Sequence, residues 1–139
     1  MENNVYRFLA QTYGSLDTDA VVNPGGHPHP RLRGTSPRVL GRFVRELEMV
    51  SLPDAIRNMT SQAVKIVGRR ARLGRIRPGL PADVVLFEPA VADRATNEQR
   101  CQPPQGIERE WVAGRQAVER GRLVDGLVAG GLGRRRCGW

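Results

Sequence analysis

At 139 residues the chain is the size of one ordinary domain, and 40% hydrophobic but only 5% aromatic content, with 16 Gly and 10 Pro, predicts short elements and a thin core. Lys65 is the only lysine, so the formal charge of +8 rests on arginine; these arginines are scattered without interleaved aromatic residues, which disfavours nucleic-acid binding. Cys101 and Cys137 show neither metal spacing nor a disulfide framework, no apolar run approaches the ~20 residues of a membrane span, and the N-terminus lacks the order of a signal peptide, so a cytoplasmic protein is expected.

Val5, Tyr6, Phe8, Leu9 and Tyr13 recur at helical spacing, and Gly14 can end that stretch. Residues 15–22 predict a strand and its exit. Asn23-Pro24-Gly25-Gly26 must be loop. Asp17 and Asp19 stand at that strand end, before a Pro- and Gly-rich turn and an arginine-rich helix. This is the layout of a barrel rim, where catalytic groups sit at strand ends. Val39, Leu40, Phe43, Val44 and Leu47 form a helical apolar stripe, with Thr35 or Ser36 as cap and Pro37 in the first turn. Arg38, Arg42 and Arg45 fall largely off the stripe and predict a solvated face or a contact to a barrel.

Ser51-Leu52-Pro53-Asp54 predicts a second helix start, in which the Ser51 hydroxyl accepts from the Asp54 amide and Asp54 answers back. Thr60-Ser61 predicts a cap between two short helices, and Gly68 a stop. Residues 73–79 predict a short strand and tight turn, and residues 82–89 a buried strand ended by Pro89. Residues 90–106 predict an irregular connection. Residues 108–118 predict a hairpin turning at Ala113-Gly114, and residues 121–124 a last short strand. Residues 126–139 predict a disordered tail. Two units follow: a mostly helical one over 1–68 and a mostly β one over 69–125.

Thr18-Asp19-Ala20, His29-Pro30-Arg31 and the run Gly34-Thr35-Ser36-Pro37-Arg38-Val39-Leu40-Gly41-Arg42-Phe43-Val44-Arg45-Glu46 resemble the C-terminal part of N-acyl-D-amino-acid deacylases (D-aminoacylases) of the amidohydrolase superfamily. Gly74-Arg75-Ile76-Arg77-Pro78-Gly79 with Ala82-Asp83-Val84-Val85-Leu86-Phe87, then Val91-Ala92-Asp93-Arg94-Ala95-Thr96 and Gly106-Ile107-Glu108, agree with it. Gln62 stands where the resemblance expects proline, and Ala113 where it expects asparagine. The resemblance implies an α/β fold: the C-terminal fragment of a metal-dependent (β/α)8 barrel, with its last strand and helices in 1–68, plus the C-terminal strands of the accompanying small β-sandwich in 69–125. It implies a fragment of a zinc-dependent enzyme that hydrolyses amide C–N bonds of N-acyl-D-amino acids. Such a fragment is inactive alone, binds no zinc tightly by itself, and has the missing N-terminal portion as a partner. A truncated or frameshifted reading frame would account for both ends.

Within that resemblance Asp19 is the catalytic aspartate: zinc lowers the pKa of its bound water towards ~7, and a carboxylate beside it carries the proton to the leaving amine. Read from the residues alone, Asp19 is equally a cap or turn residue, and Asp17 a solvated one. Arg31 is the substrate-binding residue, since a guanidinium holds an α-carboxylate with two parallel hydrogen bonds; otherwise it is a surface arginine or a partner of Asp17. His27 and His29 have His-x-His spacing, but two histidines cannot complete zinc's three or four ligands. The resemblance gives His29 a supporting place behind the arginine and gives neither histidine a metal. The alternative from another class is a non-catalytic arginine-rich module that binds a protein partner or nucleic acid.

Overall fold

The computed structural model describes residues 2–11, 13–19, 29–68 and 73–124. Helix α1 spans Glu2–Leu9. Helix α2 (Arg31–Arg38) runs directly into a π-helical segment, Val39–Glu46, and α3 (Leu52–Met59) and α4 (Ser61–Ile66) follow. Strands β1 (Val84–Ala92), β2 (Gln105–Val112), β3 (Arg115–Glu119) and β4 (Arg122–Leu123) form one antiparallel meander in that order. His27, the arginine runs at 69–70 and 134–136, Cys137 and the expected tail lie outside the described residues. Among the described residues no helix is long and apolar enough to cross a membrane.

The helix bearing the apolar stripe begins earlier than its cap signals predict. Pro30, at φ −51°, already has a helical backbone, and proline at a helix start loses no needed N–H. Thr35 therefore lies inside the helix, where its hydroxyl donates back to the Arg31 carbonyl at 2.8 Å. Pro37 is interior too, and an interior proline removes a ladder donor and crowds the preceding turn. The coil widens just beyond it, as the Leu47 N–H bond to the Arg42 carbonyl, five residues back at 2.9 Å, illustrates.

This wide coil is the centre of the core. Val39 and Phe43 pack with Ala55 of α3, with Leu9, Leu16 and Met59 around them. Leu40 turns to the sheet and packs with Val91 and Ile107, backed by Phe87 and Val118. Leu47, expected on the stripe, is exposed because the helix ends there.

The seam between helix and sheet is tight. A Cβ on Gly41 would stand 2.7 Å from the Val91 carbonyl oxygen, and one on Gly106 would stand 2.9 Å from the Val91 Cα. Arg45 spans the same seam. Its guanidinium donates to the Pro89 carbonyl at 2.9 Å and to the Val91 carbonyl at 2.7 Å. Arg38 and Arg45 are exposed, as expected of a solvated arginine face, and Arg45 in addition holds two backbone carbonyls of β1. β1 does not stop at Pro89 but bulges between Phe87 and Ala92, a place where proline is tolerated. Nor is β1 buried along its length: Val91 is buried, whereas Val85 and Leu86 are half exposed.

The other expectations divide by how local they are. The Ser51 hydroxyl accepts the Asp54 N–H at 3.2 Å and donates to its carboxylate at 2.6 Å. Thr60 joins α3 to α4, and Gly68, at φ +84°, follows the end of α4. The β2–β3 hairpin turns at Ala113-Gly114, both at positive φ, a primed turn that matches strand twist. The Asp83 carboxylate accepts the Ala113 N–H at 2.7 Å and pins that turn. Residues 15–19 and 73–79 form no strand; their backbone finds no neighbouring strand, and a strand needs a partner. A turn at residues 77–80, closed by Leu80 N–H to the Arg77 carbonyl at 3.1 Å, is present as expected.

Gly41→Ala is expected to destabilise the chain by about 1–3 kcal/mol, because backbone rather than a side-chain tip must yield; a urea midpoint at the wild-type value would show that the seam has slack. Glu110 of β2 lies between Val85 and Val118, and burial raises its pKa above the usual carboxylate value. The folded state therefore binds this proton more tightly than the unfolded chain, and the group's contribution to stability is lost as pH rises through its folded pKa. Glu110→Gln is expected to raise the denaturation midpoint at pH 7 and to leave it unchanged near pH 4.

Candidate active site

The segment carrying Asp19 has no ladder, so other bonds place it. The Gln62 side-chain amide donates to the Tyr13 carbonyl at 3.2 Å, which proline at 62 could not do. The Leu16 N–H donates to the Asn58 carbonyl at the end of α3, at 3.1 Å. Asp17 accepts the Thr18 N–H at 2.7 Å. The chain then turns at Asp19, whose φ of +44° lies in the left-handed region. Aspartate tolerates that region better than most residues, and such outliers gather at functional sites.

Across from it, α2 presents Arg31 in its first turn. The Arg31 N–H donates to Nδ1 of His29 at 3.1 Å. His29 serves as a side-chain cap for α2 and fixes the backbone of Arg31. The Arg31 guanidinium lies 3.3 Å from the Asp19 carboxylate. The side chains are 44% and 84% exposed, so the pair is open to water and to exchange with another anion. All three residues singled out from sequence thus meet in one place. Arg31 pairs with Asp19 rather than with Asp17.

A cavity of about 450 Å³ opens beside Arg31, between the start of α2 and the loop that follows β1. His29, Arg31 and Arg38 line one side; Asp93, Thr96 and Glu98 line the other. Glu98 has its pKa lowered, chiefly by the Thr96 hydrogen bond, then by its own backbone N–H, with Arg100 nearby. The wall from β1 was missed in sequence. Its only signal was the stretch from Val91 to Thr96, which agreed with the resemblance but carried no assigned role.

Among the described residues no three of His, Cys, Asp and Glu converge. Zinc needs three or four protein ligands, so these residues do not make a zinc site. Cys101 is a free, exposed thiol.

Residues 15–118 match the amidohydrolase family. The chain is 40% identical over 114 residues to an N-acyl-D-glutamate deacylase of Alcaligenes xylosoxydans xylosoxydans, covering 81% of this chain and 23% of that protein. A crystal structure of D-aminoacylase superposes with a TM-score of 0.82 at 37% identity, over 91% of this chain and 26% of the other. The N-acyl-D-glutamate deacylase of Bordetella bronchiseptica, in complex with zinc and a phosphonate mimic of the tetrahedral intermediate, gives 0.78 at 35% identity, over 88% and 27%. The chain spans about a quarter of the length of these relatives.

Since exposed ion pairs contribute about 0–1 kcal/mol, Asp19→Ala and Arg31→Ala are each expected to shift the unfolding free energy by less than about 1 kcal/mol. A larger loss in urea titration would mark the pair as structural.

Proposed function

The chain belongs to the amidohydrolase family, and from that premise we propose that it supplies the C-terminal part of a zinc-dependent N-acyl-D-amino-acid deacylase. In this reading residues 1–68 close the barrel, residues 69–125 give strands to the small β-sandwich, and residues 126–139 form a tail. The reaction is hydrolysis of the amide C–N bond to a carboxylate and a D-amino acid. The enzyme acts in the cytoplasm.

The observation that carries the reading is that Arg31, which with His29 lines an open cavity, is bonded through its backbone to His29 and through its guanidinium to Asp19. Arg31 holds the substrate α-carboxylate with two parallel hydrogen bonds. In doing so it exchanges one carboxylate partner for another, and Asp19 is released to take a proton from the attacking water and deliver it to the leaving amine. His29 keeps Arg31 aimed through its backbone N–H. Zinc is held by residues other than those described.

Bare apolar surface supports a partner from the rest of such an enzyme. Ile76 is 90% exposed and Phe8 75%. Leu86, 51% exposed, shares with the half-buried Val84 and Trp111 a sheet face turned away from Phe87 and Ile107. Large exposed apolar surface marks an interface.

The isolated chain with added zinc is expected to hydrolyse no N-acyl-D-amino acid. Exchanged for the matching quarter of an N-acyl-D-glutamate deacylase, it is expected to support hydrolysis of N-acetyl-D-glutamate. In that chimera Asp19→Asn lowers kcat by about 10²–10⁴-fold. Arg31→Lys raises KM by about 10–100-fold, since a bidentate charged contact is lost. A chimera that keeps full kcat with Asn at 19 would sink the proposal.

A further inference from the structure

Gly34, Gly41 and Arg45 are spaced by seven and four, which places them on one face of the long helix. Each meets the same stretch of β1 and its exit. Arg45 meets Pro89 and Val91, Gly41 meets Val91, and Gly34 meets Asp93. The last contact is the tightest. A Cβ on Gly34 would overlap Oδ1 of Asp93 and stand 2.7 Å from Oδ2. Asp93 does not rest there loosely, because its Oδ1 accepts the Ala95 N–H at 2.9 Å. Gly34 is buried, donates its own N–H to the Pro30 carbonyl at 3.1 Å, and lies one turn from Arg31.

We infer that Asp93 is a positioning residue for Arg31: the loop leaving β1 sets the first turn of α2 through Gly34, and so sets where the guanidinium stands. The sheet is then part of the substrate site without touching substrate. Asp93 follows Ala92 directly, and Val91 is held under Gly41, so the carboxylate reaches α2 from a fixed point. The functional weight of this inference rests on the proposed role of Arg31; the contact itself does not.

The test is amide hydrogen exchange and side-chain NMR on this chain. Asp93→Ala is expected to speed exchange at Arg33 and Gly34 about tenfold while Glu110 and Val118 stay within about twofold, and to shift the Arg31 Nε–H signal but not that of Arg45. Asp93→Asn, which keeps an acceptor for Ala95, stays near wild type. Gly34→Ala displaces the carboxylate and gives the same local changes; adding Asp93→Ala to it changes little more, because the two act through one contact. Unchanged exchange at Arg33 and Gly34, uniform acceleration throughout, or an unmoved Arg31 signal would each overturn the inference. If Asp93→Ala does not fold, Gly34→Ala and Asp93→Asn decide it. No substrate enters these measurements, so their outcome is separate from that of the chimera.

Discussion

Where the π-helical segment crosses the end of β1, two backbones approach so closely that a single methyl group would stand 2.7 Å from a carbonyl oxygen. Hydrogen-bonding need and close packing meet at that point. β1 bulges between Phe87 and Ala92, and the carbonyls at 89 and 91 within it take donors from the helix. Arg45 supplies both bonds from the helix, while Leu40 buries its side chain against Val91 and Ile107. The bulge, the proline inside it, the glycine opposite and the arginine one turn on form a single arrangement. Altering one of them disturbs the partners of the others.

That seam carries over to the candidate site. The helix held at 41 and 45 by the sheet begins at Arg31, and the strand held at 91 continues into Asp93, which lies against Gly34. From the other side, α3 and α4 tether residues 13–16. Asp19 and Arg31 are therefore brought together by elements that pack on opposite sides of the wide helix. Their ion pair is a consequence of that packing and contributes little to it, since water reaches both groups.

The superposition with D-aminoacylase covers 91% of this chain but 26% of that structure. The likeness thus extends through both the helices and the sheet while most of the relative lies outside it. Among the described residues Ile76, Phe8 and Leu86 leave large apolar side chains exposed.

What the sequence determined by itself was local. The Ser51 cap, the Thr60 junction, the Gly68 stop and the primed turn at Ala113-Gly114 each depend on a few adjacent residues, whose preferences act whatever the rest of the chain does. Asp19, Arg31 and His29 were legible through the resemblance their motifs carry, which needs no coordinates. Tertiary structure alone decided the rest. Residues 15–19 and 73–79 have strand-like patterns without a strand beside them. Pro89 looked like a strand end, yet an arginine 44 residues away holds its carbonyl in a bulge. The helix start moved from Thr35 to Arg31 because Pro30 and the His29 imidazole outweigh a hydroxyl that finds a closer acceptor at the Arg31 carbonyl. Asp93 had no visible purpose until folding set it against Gly34. Contacts between residues distant in sequence leave no periodic trace, because they depend on where whole elements pack rather than on the preferences of neighbours.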